Sequence, residues 1–182
     1  TENDSRAVYL AKFHYSETQA ASRLKALLVY SKKVREIDPV KAIDWVQNKL
    51  SLELAEKQKE AVISALNNKV MVVTGGPGVG KTTIIKAILE LYSALKVNVL
   101  LAAPTGRAAK RMSETTGMEA KTIHRLLEFS PGEGGFKKNE EEPLECDLLI
   151  IDEMSMVDII LFHHLLKAVP LHSTLIMVGD IH

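Results

Sequence analysis

The stretch Gly75-Gly76-Pro77-Gly78-Val79-Gly80-Lys81-Thr82-Thr83 constrains this chain more than any other feature. It fits G-x-x-x-x-G-K-[ST], a loop that turns successive backbone N–H groups toward one anion. The helix that follows adds its partial positive N-terminal charge. An apolar run at 70–74 precedes the loop and a helical stretch from about 81 to 95 follows it, so the context is strand, glycine loop, helix. In such a loop the backbone from Gly76 through Pro77, Gly78, Val79 and Gly80 to Thr83 cradles phosphates. Lys81 reaches the β- and γ-phosphates, and the Thr82 hydroxyl binds Mg²⁺. The chain is therefore expected to bind a nucleoside triphosphate.

The rest of the pattern agrees with that loop. Apolar strands are expected near 70–74, 97–102, 147–151 and 174–179, with helices near 81–95, 106–114, 122–128 and 156–168. Strands alternating with helical patterns make βαβ units and a parallel sheet, and nearly all-apolar strands fit a sheet covered on both faces. The fold class expected is α/β, a mostly parallel sheet flanked by helices. Residues 1 to about 30 read as one helix, with Leu10, Phe13, Ala20, Leu24, Leu27 and Leu28 near one face. Asp38-Pro39 is a helix start, Asp as cap and Pro in the first turn. Ile43, Trp45, Val46 and Leu50 then supply apolar faces, and a third helix covers roughly 55 to 66. The division expected is a helical segment over 1–50 and an ATP-binding domain over 51–182. The glycine-rich stretch 130–136 and the charged run after it, to 142, read as an exposed loop or hairpin.

Composition narrows the function classes. Lys+Arg and Asp+Glu number 23 each, which argues against coating nucleic acid by bulk charge but leaves room for a local basic track. No run approaches the ~18 apolar residues of a membrane span, and the polar start 1–6 is no signal peptide. Cys146 is the single cysteine, so no internal disulfide forms, and a reducing, cytoplasmic compartment is expected.

Several other residues carry chemistry. The strand Asp147–Ile151 runs into Asp152-Glu153. In enzymes with this phosphate loop the first carboxylate holds Mg²⁺, and a second beside it orients or deprotonates the attacking water. The plainer alternative is that Asp152 caps the next helix. Gly179-Asp180 ends the last strand, where ligands bind in open α/β sheets, although a Gly-Asp turn is also ordinary. Thr105 and the backbone at the following helix start can hold a nucleic-acid phosphate, with charge from Arg107, Lys110 and Arg111. Thr105 as a simple cap is the alternative. Lys121-Thr122-Ile123-His124-Arg125 is a second polar-basic cluster with the same ambiguity at Thr122. Gln58 precedes the glycine loop by 17 residues, and a glutamine amide can pair with the adenine edge. The adjacent His163-His164 pair has no partner at metal-binding spacing.

Together these motifs resemble a superfamily-one DNA helicase of the RecD-like group, related to the alpha subunit of exodeoxyribonuclease V. Leu54-x-x-x-Gln58 is similar to the family's Q motif, GGPGVGKTT to motif I, and APTGRAAKRM (103–112) to motif Ia. Thr122 to Leu127 resembles the next DNA-contacting motif, 151–158 resembles motif II with Met154 where Ala is usual, and 178–180 resembles the opening of motif III. The resemblance implies a RecA-like fold and ATP-driven, 5′-to-3′ movement along single-stranded DNA in recombination or repair. It implies that Gln58 reads adenine, that Lys81, Asp152 and Glu153 are catalytic, and that Asp180 also lines the ATP site. Thr82 and Asp152 would hold Mg²⁺. Thr105, Arg107, Thr122 and His124 would lie on or near the DNA track, and nuclease or helicase subunits of a recombination complex are the partner class. The family's second motor domain and its arginine finger have no counterpart in this sequence. A finger is worth ~10³ to 10⁵ in rate, so slow hydrolysis and no unwinding by these residues alone are expected. The rival readings are another P-loop ATPase acting on DNA or protein, and a nucleotide-binding module without turnover.

Overall fold

The computed structural model describes residues 8–76, 78–133 and 135–180. Among the described residues, strands and helices follow an all-helical start in the order α1 (Ala11–Val29), α2 (Pro39–Leu50), α3 (Glu56–Asn67), β1 (Val70–Thr74), α4 (Lys81–Ala94), β2 (Val99–Ala103), α5 (Gly106–Thr116), β3 (Ala120–Thr122), α6 (Ile123–Leu126), β4 (Phe129–Ser130), β5 (Gly135–Phe136), β6 (Leu148–Ile151), α7 (Ile159–Ala168) and β7 (Thr174–Gly179). Five strands form one parallel sheet in the order β1-β7-β6-β2-β3, and β4 and β5 pair as a small antiparallel hairpin.

Side-chain alternation along the central strands divides the core in two. Leu148 and Ile150 of β6 and Ile176 and Val178 of β7 face α2, α3 and α4, meeting Ile43, Val46, Val62, Ile84 and Ile88. Leu149 and Ile151, with Leu175 and Met177, face α1, α6 and α7, meeting Leu27, Ile123, Leu127 and Leu165. This period of two is what a strand buried on both faces requires. All residues of β6 and β7 are buried. Truncating a side chain such as Ile150 to alanine there costs about 2–5 kcal/mol.

The expected strands and helices are present, with differences that have physical causes. In β1, a sheet-edge strand among the described residues, Val72 is 62% exposed, so this strand is not covered on both faces. The edge strand β3 went unexpected because Ala120-Lys121-Thr122 is short and mostly polar. In α1 only Ser16, Ala20 and Leu27 are buried, while Phe13 and Leu28 are exposed. The stripe at 16, 20, 24 and 27 follows the helical period, and Leu28 sits about 100° around the helix from Leu27. Trp45 of α2 is likewise mostly outward, beside the buried Ala42, Ile43 and Val46. The Asp38 cap is as expected: its Oδ1 accepts from Val40 N at 3.0 Å and Lys41 N at 3.4 Å, with Pro39 in the first turn.

Two cations pin the helical start to the sheet layers. Arg23 of α1 donates to the carbonyls of Leu166 (3.1 Å) and Val169 (3.2 Å), the last turn of α7. Lys32 donates to the carbonyls of Ala65 (3.4 Å) and Leu66 (2.7 Å), the last turn of α3. Both place positive charge at a helix C-terminus, where the macrodipole favours it. Lys32 sits half-buried and beside Lys69, and burial, then that neighbour, lowers its pKa to about 8.

Candidate functional site

Because the sheet is parallel, its strands all end at one edge, and β1, β7 and β6 are consecutive neighbours there. Thr74 pairs with Gly179 and Ile151 with Met177. The segments leaving these three strand ends are the glycine loop, Asp180 and Asp152-Glu153. A cavity of about 370 Å³ joins them, lined by Gly78, Gly80, Lys81, Thr82, Asp152, Glu153 and Asp180 among others. Of the residues named from the sequence, Gly78, Gly80, Lys81, Thr82, Asp152, Glu153 and Asp180 line this cavity, while Gln58 is not in its lining and instead contacts the loop at Val79. Pro77 lies outside the described residues.

The loop's glycines are needed at specific atoms. Gly78 and Gly80 hold φ of +78° and +86°, the left-handed region that L side chains rarely adopt. A Cβ on Gly80 would come within 2.2 Å of Gln58 Nε2. Gln58 thus does more than sit on an exposed helix face. Its Oε1 accepts from Ala55 N at 3.0 Å, and its Nε2 donates to the Val79 carbonyl at 3.4 Å. The start of α3 is in this way clipped to the glycine loop.

Lys81 opens α4 and folds back over its own loop. Its Nζ donates to the carbonyls of Gly75 (2.6 Å) and Gly76 (2.9 Å) and to Asp180 Oδ1 at 2.5 Å. A flexible ammonium held by two carbonyls and one carboxylate can turn to a phosphate without leaving the cavity. Thr82, exposed at the first turn of α4, lines the same cavity.

The carboxylates come from a tight turn. After β6, Asp152 N donates to the Ala102 carbonyl at 2.9 Å, and Asp152 Oδ1 accepts from Glu153 N at 2.9 Å. Glu153 has φ +54°, left-handed and not glycine, which costs on the order of 1–3 kcal/mol. A 3₁₀ turn at Met154–Met156 follows, and Asp158 caps α7 by accepting from Ile160 N and Leu161 N. Gly179 lets β7 end against that turn, since a Cβ there would lie 3.2 Å from Ser155 N. Burial pushes the Asp152 carboxyl above its usual range, with the neighbouring Glu153 charge adding to this; the hydrogen bond from Glu153 N, Arg111 and Lys81 oppose it. A half-buried carboxylate and a threonine hydroxyl lining one cavity are oxygen donors of the kind a hard divalent cation takes.

Arg111 was grouped by sequence with the cations of a DNA track. Its Nη2 instead donates to Glu153 Oε1, and its side chain lines the nucleotide cavity. The two residues are 42 apart in the chain, so no local sequence rule pairs them.

The DNA candidates cluster along the same sheet edge. Ala103 pairs with Thr122, so the helix starts after β2 and β3 are neighbours. Thr105 Oγ1 accepts from Ala108 N and Thr122 Oγ1 from Arg125 N, both at 3.2 Å, so each hydroxyl caps its helix. Arg107 and His124 are exposed. His124 lies against Phe129 and Phe136 of the hairpin, ring centroids 5.6 Å apart in both cases, and Phe136 stacks on His164 at 4.8 Å. The stretch 130–136, expected as an exposed loop or hairpin, is a hairpin, but its sequence assigns no role to Phe129 or Phe136.

A model of the family described as AAA domain matches residues 58–182, well over half of the chain. The chain belongs to the AAA domain family. Within it the chain is RecD-like, as its motifs predict. It is 40% identical over 174 residues to the ATP-dependent RecD2 DNA helicase of Deinococcus radiodurans, covering 95% of this chain and 24% of that protein. It is 32% identical over 200 residues to the RecBCD enzyme subunit RecD of Mycobacterium tuberculosis, covering 97% and 33%. Among solved structures it is similar to the Pif1 helicase of Candida albicans, with a TM-score of 0.52 and 26% identity over 71% of this chain and 33% of that one. The chain thus spans about a quarter to a third of the length of the proteins it matches. No helix among the described residues is long and apolar enough to cross a membrane.

Proposed function

We propose that this chain is the ATP-binding first motor domain of a 5′-to-3′ DNA helicase acting in recombination or repair, with residues 51–182 forming the RecA-like domain and 1–50 a helical segment before it. The observation that supports this most is the meeting of Lys81, Thr82, Asp152, Glu153 and Asp180 in one cavity, from three adjacent strand ends. Each has a role that its position allows. The backbone from Gly76 to Thr83 and Lys81 bind the phosphates, and Gln58, which contacts the loop at Val79, would turn its amide to the adenine edge. Thr82 and Asp152 would hold Mg²⁺, which when bound neutralises phosphate charge. Glu153 accepts the proton of the attacking water, and Asp180 holds Lys81 until phosphate takes its place.

Single-stranded DNA is the proposed track, running past Thr105, Arg107, Thr122 and His124. The aromatic group His124, Phe129 and Phe136 supports that reading, because aromatic faces stack on bases without regard to sequence. The name of the RecBCD relative suggests that the parent protein works with nuclease or helicase subunits.

The test is nucleotide affinity of the purified chain with Mg²⁺, alongside limited proteolysis with and without single-stranded DNA. Micromolar ATP binding that Lys81→Ala removes, and DNA protection of the 103–125 region, are expected. Unchanged affinity in Lys81→Ala would overturn the site assignment.

A further inference from the structure

The nucleotide cavity has a wall that the phosphate loop does not provide. Helix α5 supplies it, and Arg111 is its charged residue, sharing the lining with Lys81, Thr82 and Glu153. Arg111 donates to Glu153 Oε1. Glu153 is the carboxylate needed as proton acceptor, and a guanidinium bonded to its Oε1 occupies the oxygen that would take the proton. The ion pair is also loosely held. The Arg111 side chain is 62% exposed and that of Glu153 26%, so water competes for both, and a stronger anion can draw them apart. A terminal phosphate is such an anion, since it takes the planar fork of arginine through two parallel hydrogen bonds.

We propose that Arg111 responds to the terminal phosphate: its guanidinium holds Glu153 in the free protein and moves to the γ-phosphate of a bound nucleoside triphosphate, releasing Glu153 to accept the water proton. This rests on the nucleotide reading above. A diphosphate lacks the attracting group and leaves the pair closed. The cavity then distinguishes ATP from ADP with residues of this chain alone, and the general base is free only when there is a bond to hydrolyse.

Calorimetric titration of the chain with Mg²⁺ plus ADP, or plus a non-hydrolysable ATP analogue, tests this without turnover. Arg111→Ala is expected to weaken analogue binding by about tenfold and to leave ADP binding within about twofold. Arg111→Lys should restore only part, because an ammonium lacks the fork. Glu153→Gln should strengthen analogue binding, and that gain should vanish in the Arg111→Ala background. Arg111→Ala changing ADP and analogue affinity equally, or the Glu153→Gln gain persisting without Arg111, would overturn the proposal and leave a merely structural ion pair. If Lys81→Ala abolishes binding while Arg111→Ala leaves the ATP-to-ADP ratio unchanged, this inference fails and the nucleotide reading stands. If the unmodified chain binds neither nucleotide, both fail.

Discussion

Replacing Gly80 by alanine tests how the glycine loop is built, and the structure separates the two penalties involved. At φ +86° a Cβ is strained whatever space surrounds it, at roughly 1–2 kcal/mol. The new Cβ would also lie 2.2 Å from Gln58 Nε2 and 3.5 Å from Gln58 Cδ. That clash is with the far end of a flexible side chain, so Gln58 swings away and loses its bonds to Val79 O and Ala55 N. Both bonds are exposed, so each lies at the low end of the usual range, about 0.5 kcal/mol, and the two together lose about 1 kcal/mol. Backbone strain therefore wins over the clash, and the total is about 2–3 kcal/mol. For a domain of this size that lowers Tm by roughly 4–12 °C. Gly76 is the internal control, because a Cβ there meets nothing within 4 Å. Denaturant unfolding of Gly80→Ala, Gly76→Ala, Gln58→Ala and the Gly80→Ala/Gln58→Ala pair measures the terms. The double variant should lose less than the sum of the singles, since Gln58→Ala removes the clash and not the strain. Equal losses at Gly76 and Gly80, or full additivity of the pair, would refute the reasoning.

Three further outcomes follow from charge and stacking. Lys32 has a folded pKa of about 8, below that of the unfolded chain, so between the two values the unfolded state binds more protons. Stability should rise as pH climbs from about 8, until ionisation of the Tyr92 phenol, whose pKa burial raises, reverses the slope. Lys32→Met should flatten that rise in urea melts, with the part owed to Lys69 remaining. The Asp152 carboxyl is raised by burial, so the free protein should lose stability as pH climbs through that group's titration, while cation binding gains by displacing the proton. Titrating Mg²⁺ at stepped pH should show affinity falling on acidification from above the ordinary aspartate range, and Asp152→Asn should remove the dependence. Phe136→Ala should weaken single-stranded DNA binding by about 1–3 kcal/mol in fluorescence anisotropy, whereas Trp45→Ala, on α2, should leave it unchanged.

What could be read in the sequence was whatever a local rule encodes. The glycine loop needs residues 75 to 83 and nothing distant, and the Asp38-Pro39 cap needs two adjacent residues. The buried strands β6 and β7 announce themselves as unbroken apolar runs. Pairings between distant segments had no such signal. Gln58 and Val79 are 21 residues apart, and their contact depends on how α3 seats against the loop. Arg111 and Glu153 are 42 apart and looked like a track cation and a free base. The hairpin strands are two residues each, too short for any periodicity, and their partner ring His124 belongs to a different motif. The contacts that escaped prediction are thus the ones that join motifs. Gln58 ties α3 to the glycine loop, and Arg111 ties α5 to Glu153. A motor needs its DNA-facing and nucleotide-facing segments to be mechanically connected. We propose helix α5 as such a connection, with Thr105 capping one end on the proposed track and Arg111, about 1.7 turns on, lining the proposed nucleotide cavity.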